Sequence, residues 1–209
     1  MSTHYAINLG RELGSGGRAI GELVARQLGI AFYDKELLCL ASQESGLGQE
    51  FFEKADERTS PALFGSMMGG RFPFMNEAAF LSPSCLSNDS LFNIQSKVIE
   101  ELVEKKSCLF VGRCADYVLR NHPRCVNIFV TSPLEIRKSR LMERMQITAT
   151  EAEELIRKSD KMRSNYYNYY SFRTWGQAST YHLCIDSSIF GIEETANFIT
   201  AFIKKKLAL

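Results

Sequence analysis

The sequence predicts an α/β fold, a parallel β-sheet with helices on both faces. Three observations predict it. Short apolar segments alternate with amphipathic helical segments along the 209 residues, the pattern of such sheets. A glycine-rich turn joins the first apolar segment to the first helical one, as in folds that bind ligands at the sheet edge. Apolar residues make up 45% of the chain, which is enough for a core between these layers.

The first elements follow from hydrophobic periodicity. Residues 4–9 (HYAINL) alternate as a strand does, and the turn GRELGSGG follows them. A helix is predicted next because its apolar residues share one face, and Gly29 is placed to end it. Those apolar residues are Ile20, Leu23, Val24 and Leu28. Residues 30–33 (IAFY) predict a second strand, which a polar turn at Asp34 and Lys35 follows.

The segment 58–88 has a different character. Two helical stretches, 36–44 and 49–57, precede it. It contains three prolines, three methionines and four phenylalanines, and neither period of 2 nor of 3.6 holds there. A long apolar segment of this kind is typical of a functional loop, a lid or a partner-facing surface. A helical insert that periodicity does not reveal is the alternative.

Regular alternation returns after residue 88. The predicted elements are a helix at 89–106, a strand at 107–112, a helix from near Arg113, a strand at 125–132, a helical region at 133–172, a strand at 181–187 and a helix from Gly191. The continuous apolar run at 125–132 predicts a central strand. Parallel sheets bind ligands at the carboxyl ends of their strands. The candidate site is therefore expected in the loops after Leu9, Tyr33, Val111 and Val130.

The glycine-rich loop Leu13-Gly14-Ser15-Gly16-Gly17-Arg18 lies in the first of these places. Glycines allow consecutive N–H groups to face one anion, and the following helix N-terminus adds its dipole. Compared with G-x-x-x-x-G-K-[ST], Glu12 replaces the first glycine, Arg18 the lysine and Ala19 the hydroxyl residue. Arg18 can still contribute a cation. Because Ala19 cannot bind magnesium, the metal would need Ser15, another residue, or only phosphate and water. A glycine turn that serves only helix–strand packing is the alternative.

A second cationic feature lies at 136–163, where eight basic and five acidic residues leave a local excess of +3. The spacing places Arg137, Arg140 and Arg144 along one side of a helix. Such a segment suits a lid that closes over phosphate groups. A solvated helical face and an RNA-binding surface are the alternatives.

Composition excludes several classes of protein. The net charge of +1 excludes a globally basic nucleic-acid coat, and the apolar runs fall far short of the roughly 20 residues that span a bilayer. No secretory signal is apparent, so we expect a cytoplasmic protein with no membrane partner. The six cysteines are expected to be thiols, and no Cys/His cluster has the spacing of a metal site.

Three stretches together resemble the cytidylate kinase-like family of P-loop nucleoside monophosphate kinases. They are RELGSGGRAIGELVARQLGIAFYDKELL, FVGRCADYVLRNHPRCVNIFVTSPLEIRKSRLM and KSDKMRSNYYNYYSFRTWGQASTYHLCIDSS. The resemblance implies one P-loop kinase-like domain over 1–209, an acceptor-binding insert at about 35–90 and an arginine-bearing lid at about 137–172. It also implies phosphoryl transfer from ATP, with Mg²⁺, to CMP or dCMP.

The resemblance also implies roles for individual residues. Gly14, Ser15, Gly16, Gly17 and Arg18 would hold the ATP phosphates. Asp34, with its neighbour Lys35, would lie next to the acceptor, and Arg113 matches the arginine of a Gly-Arg-Asp motif that contacts the monophosphate. Cys114 replaces the aspartate of that motif, and Asp116 is the candidate substitute. The expected catalytic cations are Arg18, Arg137, Arg140 and Arg163, and Lys161 is expected to contact the acceptor.

The departures from the family pattern leave two alternatives open. Lys161 and Arg163 stand where cytidylate kinases carry a dense Arg/Asp cluster, so a kinase of a non-nucleotide small molecule is one alternative. Ala19 and Cys114 motivate the other, a nucleotide-binding regulatory module without catalysis. The expected partner is a small-molecule nucleotide and not a nucleic acid. A homodimer through 58–88 and an insert folded onto its own core both remain open.

Overall fold

The computed structural model describes residues 4–34 and 88–209. The predicted helices at 36–44 and 49–57, almost all of the segment 58–88, and Lys35 lie outside the described residues. Most of the expected insert lies outside them as well.

Five parallel strands form one sheet in the order β2-β3-β1-β4-β5. The strands are β1 (Ala6–Arg11), β2 (Ala31–Tyr33), β3 (Cys108–Val111), β4 (Cys125–Thr131) and β5 (Leu183–Asp186). The helices, numbered in the order in which they are described, are α1 (Gly17–Leu28), α2 (Asn88–Lys105), α3 (Ala115–Val118), α4 (Leu134–Met145), α5 (Ala149–Ser171) and α6 (Gly191–Leu207). The predicted fold class, a parallel sheet with helices on both faces, is confirmed.

β1 is the central strand, with β3 on one side and β4 on the other. β4 lies between β1 and β5, so it is an interior strand one place from the centre. β1 also ends two residues later than periodicity predicts, because Gly10 and Arg11 pair with Phe129 and Val130 of β4. The glycine-rich loop therefore begins at the middle of the carboxyl edge of the sheet.

The core lies on both faces of the sheet, as the alternation along β1 requires. Ile7 and Leu9 pack against α1 and α6 on one face. Ala6 packs on the other face, against α2 and α3. Each face contributes buried aliphatic side chains from its helices, among them Ile20, Val24, Ile199 and Ile203 on the first face and Val98, Ile99 and Leu119 on the second.

The basic region at 133–172 forms two helices, α4 and α5. Gln146 ends α4 with a left-handed backbone (φ 55°), and Thr148 caps α5 in a reciprocal capping box with Glu151. Leu13 packs between the two helices with Leu141 and Ile156. This contact places the start of the glycine-rich loop against the lid. None of the helices described, from α1 to α6, is long and apolar enough to span a membrane.

Candidate active site

The glycine-rich loop has the backbone that a phosphate cradle requires. Gly14 and Gly16 adopt left-handed conformations with φ of 79° and 77°. A Cβ on Gly14 would lie 2.8 Å from the carbonyl oxygen of Arg137, so no larger residue fits there. α1 begins at Gly17 with no side-chain cap and no acidic residue in its first turn. The N-terminus of α1 is therefore electrostatically favourable for an anion.

Four consecutive carbonyl oxygens of this loop accept hydrogen bonds from side chains. The carbonyl oxygens of Glu12, Leu13, Gly14 and Ser15 accept from Ser15 Oγ (2.9 Å), Arg137 Nε (2.7 Å), Arg140 Nη1 (3.4 Å) and Ser187 Oγ (2.5 Å). Arg140 also donates to Ser187 Oγ at 2.9 Å. Because the carbonyl groups are held by donors, the backbone of the loop is fixed, while the N–H groups of Ser15 and Gly17 make only long contacts of 3.4 Å within the loop.

The lid holds both polar groups of Leu13. Asp160 of α5 accepts from the Leu13 N–H at 2.8 Å, and Arg137 of α4 donates to the Leu13 carbonyl. Arg137 also forms ion pairs with Asp160 and with Glu12, the latter at 3.1 Å. The side chain of Arg137 is 7% exposed. Arg137, predicted as a catalytic cation, is thus compensated by two carboxylates and contacts the loop backbone.

Arg18 lies in the first turn of α1, as predicted, and its side chain is 59% exposed. Its Nε donates to Asp34 Oδ2 at 2.9 Å, and its Nη1 lies 2.8 Å from Glu22 Oε1. Asp34 itself is buried directly after β2. Arg18, which is expected at ATP, and Asp34, which is expected at the acceptor, therefore form an ion pair at the carboxyl end of β2.

The turn after β3 has an unusual backbone. Gly112, Arg113 and Cys114 are consecutive residues with positive φ, of 76°, 60° and 54°. A left-handed conformation costs a non-glycine residue roughly 1–2 kcal/mol, so this turn stores strain at two positions. The turn delays the next helix to Ala115 and shortens it to four residues, whereas the sequence predicts a helix from near Arg113. Its effect is to direct the Arg113 side chain, 8% exposed, to the neighbouring pocket.

That pocket lies at the carboxyl ends of β1 and β3 and combines three arginines with an aromatic wall. The arginines are Arg11, Arg113 and Arg163. The aromatic residues are Tyr166, Tyr167, Trp175 and Tyr181. Arg113 lies over the ring of Tyr166 at 5.2 Å, a cation–π contact that orients the guanidinium. Three cations facing one concave space make it a candidate anion site, and the rings can contact a flat organic group.

Asp116 lines the same pocket but is engaged with the lid. Tyr167 Oη donates to Asp116 Oδ2 at 2.6 Å, and Arg173 Nη1 lies 4.0 Å from the same oxygen. Burial raises the pKa of the Asp116 carboxyl, while the Tyr167 hydroxyl and Arg173 oppose that shift. Burial also raises the pKa of Tyr167 to about 12, so its hydroxyl stays protonated and donates. This contact fastens the second half of α5 to the turn after β3.

The remaining predicted residues lie elsewhere. Lys161 is exposed on α5 and is not among the residues that line the pocket. Ser15, the candidate magnesium ligand, is fully buried and donates its hydroxyl to the Glu12 carbonyl. In the described ranges, 4–34 and 88–209, no group of three or more His, Cys, Asp or Glu residues could hold a metal ion.

Sequence reasoning missed several residues of the site. Glu12 and Asp160 were not predicted to hold Arg137, because 125 and 23 residues separate the partners along the chain. Arg11 was not predicted to line the pocket. Its position directly after the strand and before the glycine-rich loop is a signal that could have found it. The aromatic wall was visible only as the tyrosine-rich tract SNYYNYYSFRTW, for which no site was predicted.

Three solved structures are similar to this chain in fold. An uncharacterized protein from Eubacterium ventriosum ATCC 27560 is similar with a TM-score of 0.70 and 25% identity, over 96% of this chain and 99% of that one. A gluconokinase from Sinorhizobium meliloti 1021 has a TM-score of 0.54 and 12% identity, over 99% and 95% of the two chains. A shikimate kinase from Bacteroides thetaiotaomicron has a TM-score of 0.52 and 12% identity, over 96% and 98%. These two low identities show a shared fold alone.

The sequence comparisons decide the family. A search of curated proteins gave no match. A model of the cytidylate kinase-like family matches residues 6–189, which include the glycine-rich loop, the turn after β3 and both lid helices. The chain therefore belongs to the cytidylate kinase-like family.

Proposed function

We propose that this protein transfers a phosphoryl group from ATP to a nucleoside monophosphate, with CMP or dCMP as the acceptor. Membership of the family and the fold support a nucleotide-binding kinase. The observation that carries the proposal is the placement of two anion-binding features side by side. The glycine-rich loop follows β1, and the arginine pocket opens between the ends of β1 and its neighbour β3.

The loop is the proposed donor site. Gly14, Ser15, Gly16 and Gly17 would surround the ATP phosphates with backbone N–H groups, and Arg18 would approach them from the first turn of α1. The left-handed glycines and the held carbonyls fit a phosphate chain. Bound Mg²⁺ would neutralise charge on the phosphate oxygens. Since Ala19 has no hydroxyl and Ser15 donates its hydroxyl to the Glu12 carbonyl, the loop would leave Mg²⁺ to phosphate, water or another residue of the chain.

The pocket is the proposed acceptor site. Arg113 and Arg163 would bind the monophosphate, and the rings of Tyr166 and Trp175 would contact the base. Asp34 follows β2, on the acceptor side of the sheet, and stays a proposed neighbour of the acceptor, as does the next residue in the sequence, Lys35. Lys161 would reach the acceptor only after a movement of the exposed face of α5.

Two lid arginines act on the loop in this proposal. Arg137 and Arg140 contact the carbonyl oxygens of Leu13 and Gly14, which supports a role in positioning the donor site. Arg163, one of the predicted catalytic cations, lies in the pocket, where it can stabilise charge on the acceptor side. Asp116 accepts a hydrogen bond from Tyr167 and thereby positions the aromatic wall of the pocket. In this proposal it takes no proton from the substrate.

The chemistry makes modest demands on these side chains. An acceptor phosphate is already ionised at neutral pH, so its oxygen attacks the γ-phosphorus without a general base. Alignment of the two phosphates and neutralisation of their charge then supply the rate enhancement. The bond from the γ-phosphorus to the bridging oxygen of ADP breaks, and a new bond to the acceptor oxygen forms.

The direct test is an acceptor screen. Purified protein is incubated with Mg-ATP and, separately, with CMP, dCMP, UMP, AMP and GMP, and ADP is measured against a reaction without acceptor. We expect ADP with CMP or dCMP, and a large loss for Arg113→Met. No ADP above the control with every acceptor would overturn the proposal.

A second candidate is a kinase of a non-nucleotide small molecule. The observation that favours it concerns Lys161 and Arg163, the two residues matched to the nucleotide-reading segment of cytidylate kinases. Arg163 lines the pocket, whereas Lys161 is exposed and does not. Incubation with labelled ATP and a metabolite extract would distinguish the two. A kinase of a non-nucleotide molecule would form a new phosphorylated product in the extract and none in the nucleotide screen. Binding of ATP without transfer in either assay would indicate the regulatory module.

A further inference from the structure

We propose that Arg11 is a catalytic residue that contacts the phosphoryl group as it passes from donor to acceptor. The inference rests on the proposed function and adds a residue that neither the sequence motif nor the family resemblance assigns. It is carried by the course of the Arg11 side chain, by two glycines that this course requires, and by the pocket at its end.

The root of the side chain is fixed against the donor loop. A Cβ on Gly17, the first residue of α1, would lie 2.5 Å from Cβ and 3.0 Å from Cγ of Arg11. Cβ and Cγ of Arg11 are so near their own backbone that they cannot move aside. Position 17 therefore accepts only glycine while residue 11 is arginine. Arg11 therefore lies in van der Waals contact with the N-terminus of α1, where the proposed ATP phosphates bind.

The end of the side chain reaches the acceptor side. A Cβ on Gly112, directly after β3, would lie 2.5 Å from Nη1 and 3.6 Å from Cζ of Arg11. The guanidinium thus lies over the start of the strained turn that carries Arg113. Arg11 also lines the pocket together with Arg113 and Arg163.

These contacts place one cation between the two proposed sites. β1 and β3 are adjacent strands, and Arg11 is the last residue of β1. Its side chain begins beside Gly17 and ends beside Gly112, so it crosses the gap that a phosphoryl group must cross. A guanidinium can donate to oxygens of both phosphates at once and neutralise their mutual repulsion. The central strand, rather than the lid, would supply this charge.

The test compares ATP with ADP, because only ATP carries the transferring group. The variants are Arg11→Met, which keeps the Cβ and Cγ contacts without the charge, and Arg11→Lys, which keeps a charge. Arg26→Met, on the exposed last turn of α1, is the matched control. Calorimetry gives the dissociation constants of Mg-ATP and Mg-ADP for each, and thermal unfolding shows that each folds. If Arg11→Met does not fold, Arg11→Gln takes its place.

We expect Arg11→Met to weaken ATP binding about 10- to 100-fold, the loss of a charge-assisted hydrogen bond. ADP binding should change by less than about threefold, and Arg11→Lys should recover part of the loss. Equal losses for ATP and ADP would show a structural role and overturn the proposal, as would no loss for either.

These outcomes are separate from the proposed reaction. If Arg11→Met weakens ATP binding more than ADP binding in a protein that phosphorylates no acceptor, the contact of Arg11 with the γ-phosphate is supported and the proposed function is overturned. Phosphorylation of CMP with no such difference would do the reverse.

Discussion

Arg137 donates from Nε to the carbonyl oxygen of Leu13 at 2.7 Å, so a lid helix holds the start of the glycine-rich loop. The same guanidinium is paired with Glu12 and Asp160, and Asp160 accepts from the N–H of Leu13. Loop and lid are therefore joined at both backbone polar groups of one residue, Leu13. The predictions for Arg137 and Gly14 depend on this connection.

Arg137→Met should destabilise the protein by about 3 kcal/mol, because it removes a buried cation from the partly buried carboxylates of Glu12 and Asp160. The neighbouring Lys138→Met is the matched control, since the Glu135 and Glu153 carboxylates that pair with Lys138 are 78% and 56% exposed. We expect little change there. Urea unfolding followed by circular dichroism measures both, and equal effects would contradict the structural role of Arg137.

Gly14→Ala should lose ATP binding and stability together. The substitution combines a left-handed φ of 79° with a Cβ 2.8 Å from the Arg137 carbonyl. Gly29→Ala is the control, because its φ is 64° and no atom lies within 4 Å of the added Cβ. It should cost only the backbone strain, roughly 1–2 kcal/mol, and leave ATP affinity unchanged. Calorimetry with Mg-ATP compares the two, and unchanged affinity for Gly14→Ala would count against the cradle.

Arg113→Gly and Arg113→Ala should separate backbone strain from side-chain function. Both remove the guanidinium, so both should raise the KM for the acceptor strongly. Because residue 113 has φ of 60°, the glycine variant should be more stable than the alanine variant by about 1 kcal/mol. Thermal and urea unfolding give the stability difference, and acceptor kinetics give the functional loss. An alanine variant as stable as the glycine variant would contradict the strained turn.

Asp116→Asn should become relatively more stabilising as the pH rises. Burial raises the pKa of Asp116 above its ordinary 3.8, so the folded state binds this proton more tightly than the unfolded state. Stability from this group is present at low pH and falls as the pH rises from about 3.8 through the folded pKa. Asparagine removes this dependence and can still accept from Tyr167. The difference in unfolding free energy between variant and wild type, measured from pH 4 to 8, should increase; a flat difference would refute the shift.

The cysteines should differ in reactivity. Burial raises the pKa of Cys108, Cys114 and Cys125 to about 12, so almost no thiolate forms near pH 8. Cys184 is exposed. Peptide mapping after brief iodoacetamide treatment should therefore find Cys184 labelled well before the other three. Rapid labelling of Cys114 would show that the turn after β3 opens in solution.

Local patterns predicted most of the described fold and less of the site. The apolar face of α1 and its end at Gly29 follow from a 3.6-residue period, and the structure confirms both. The left-handed turn at Arg113 has no such pattern, because arginine and cysteine do not favour positive φ and only tertiary contacts hold it. The burial of Arg137 depends on Glu12, far away in sequence, so the charge pattern predicted a catalytic cation of the lid and not an ion pair with the loop.

The most direct test of the central claim follows the γ-phosphoryl group itself. The protein is incubated with γ-³²P-labelled Mg-ATP and CMP, and the products are separated by chromatography. We predict labelled CDP in an amount equal to the ADP formed, and far less of both products with Arg113→Met. Label that stays in ATP, or leaves only as inorganic phosphate, with CMP and every other monophosphate would contradict the account.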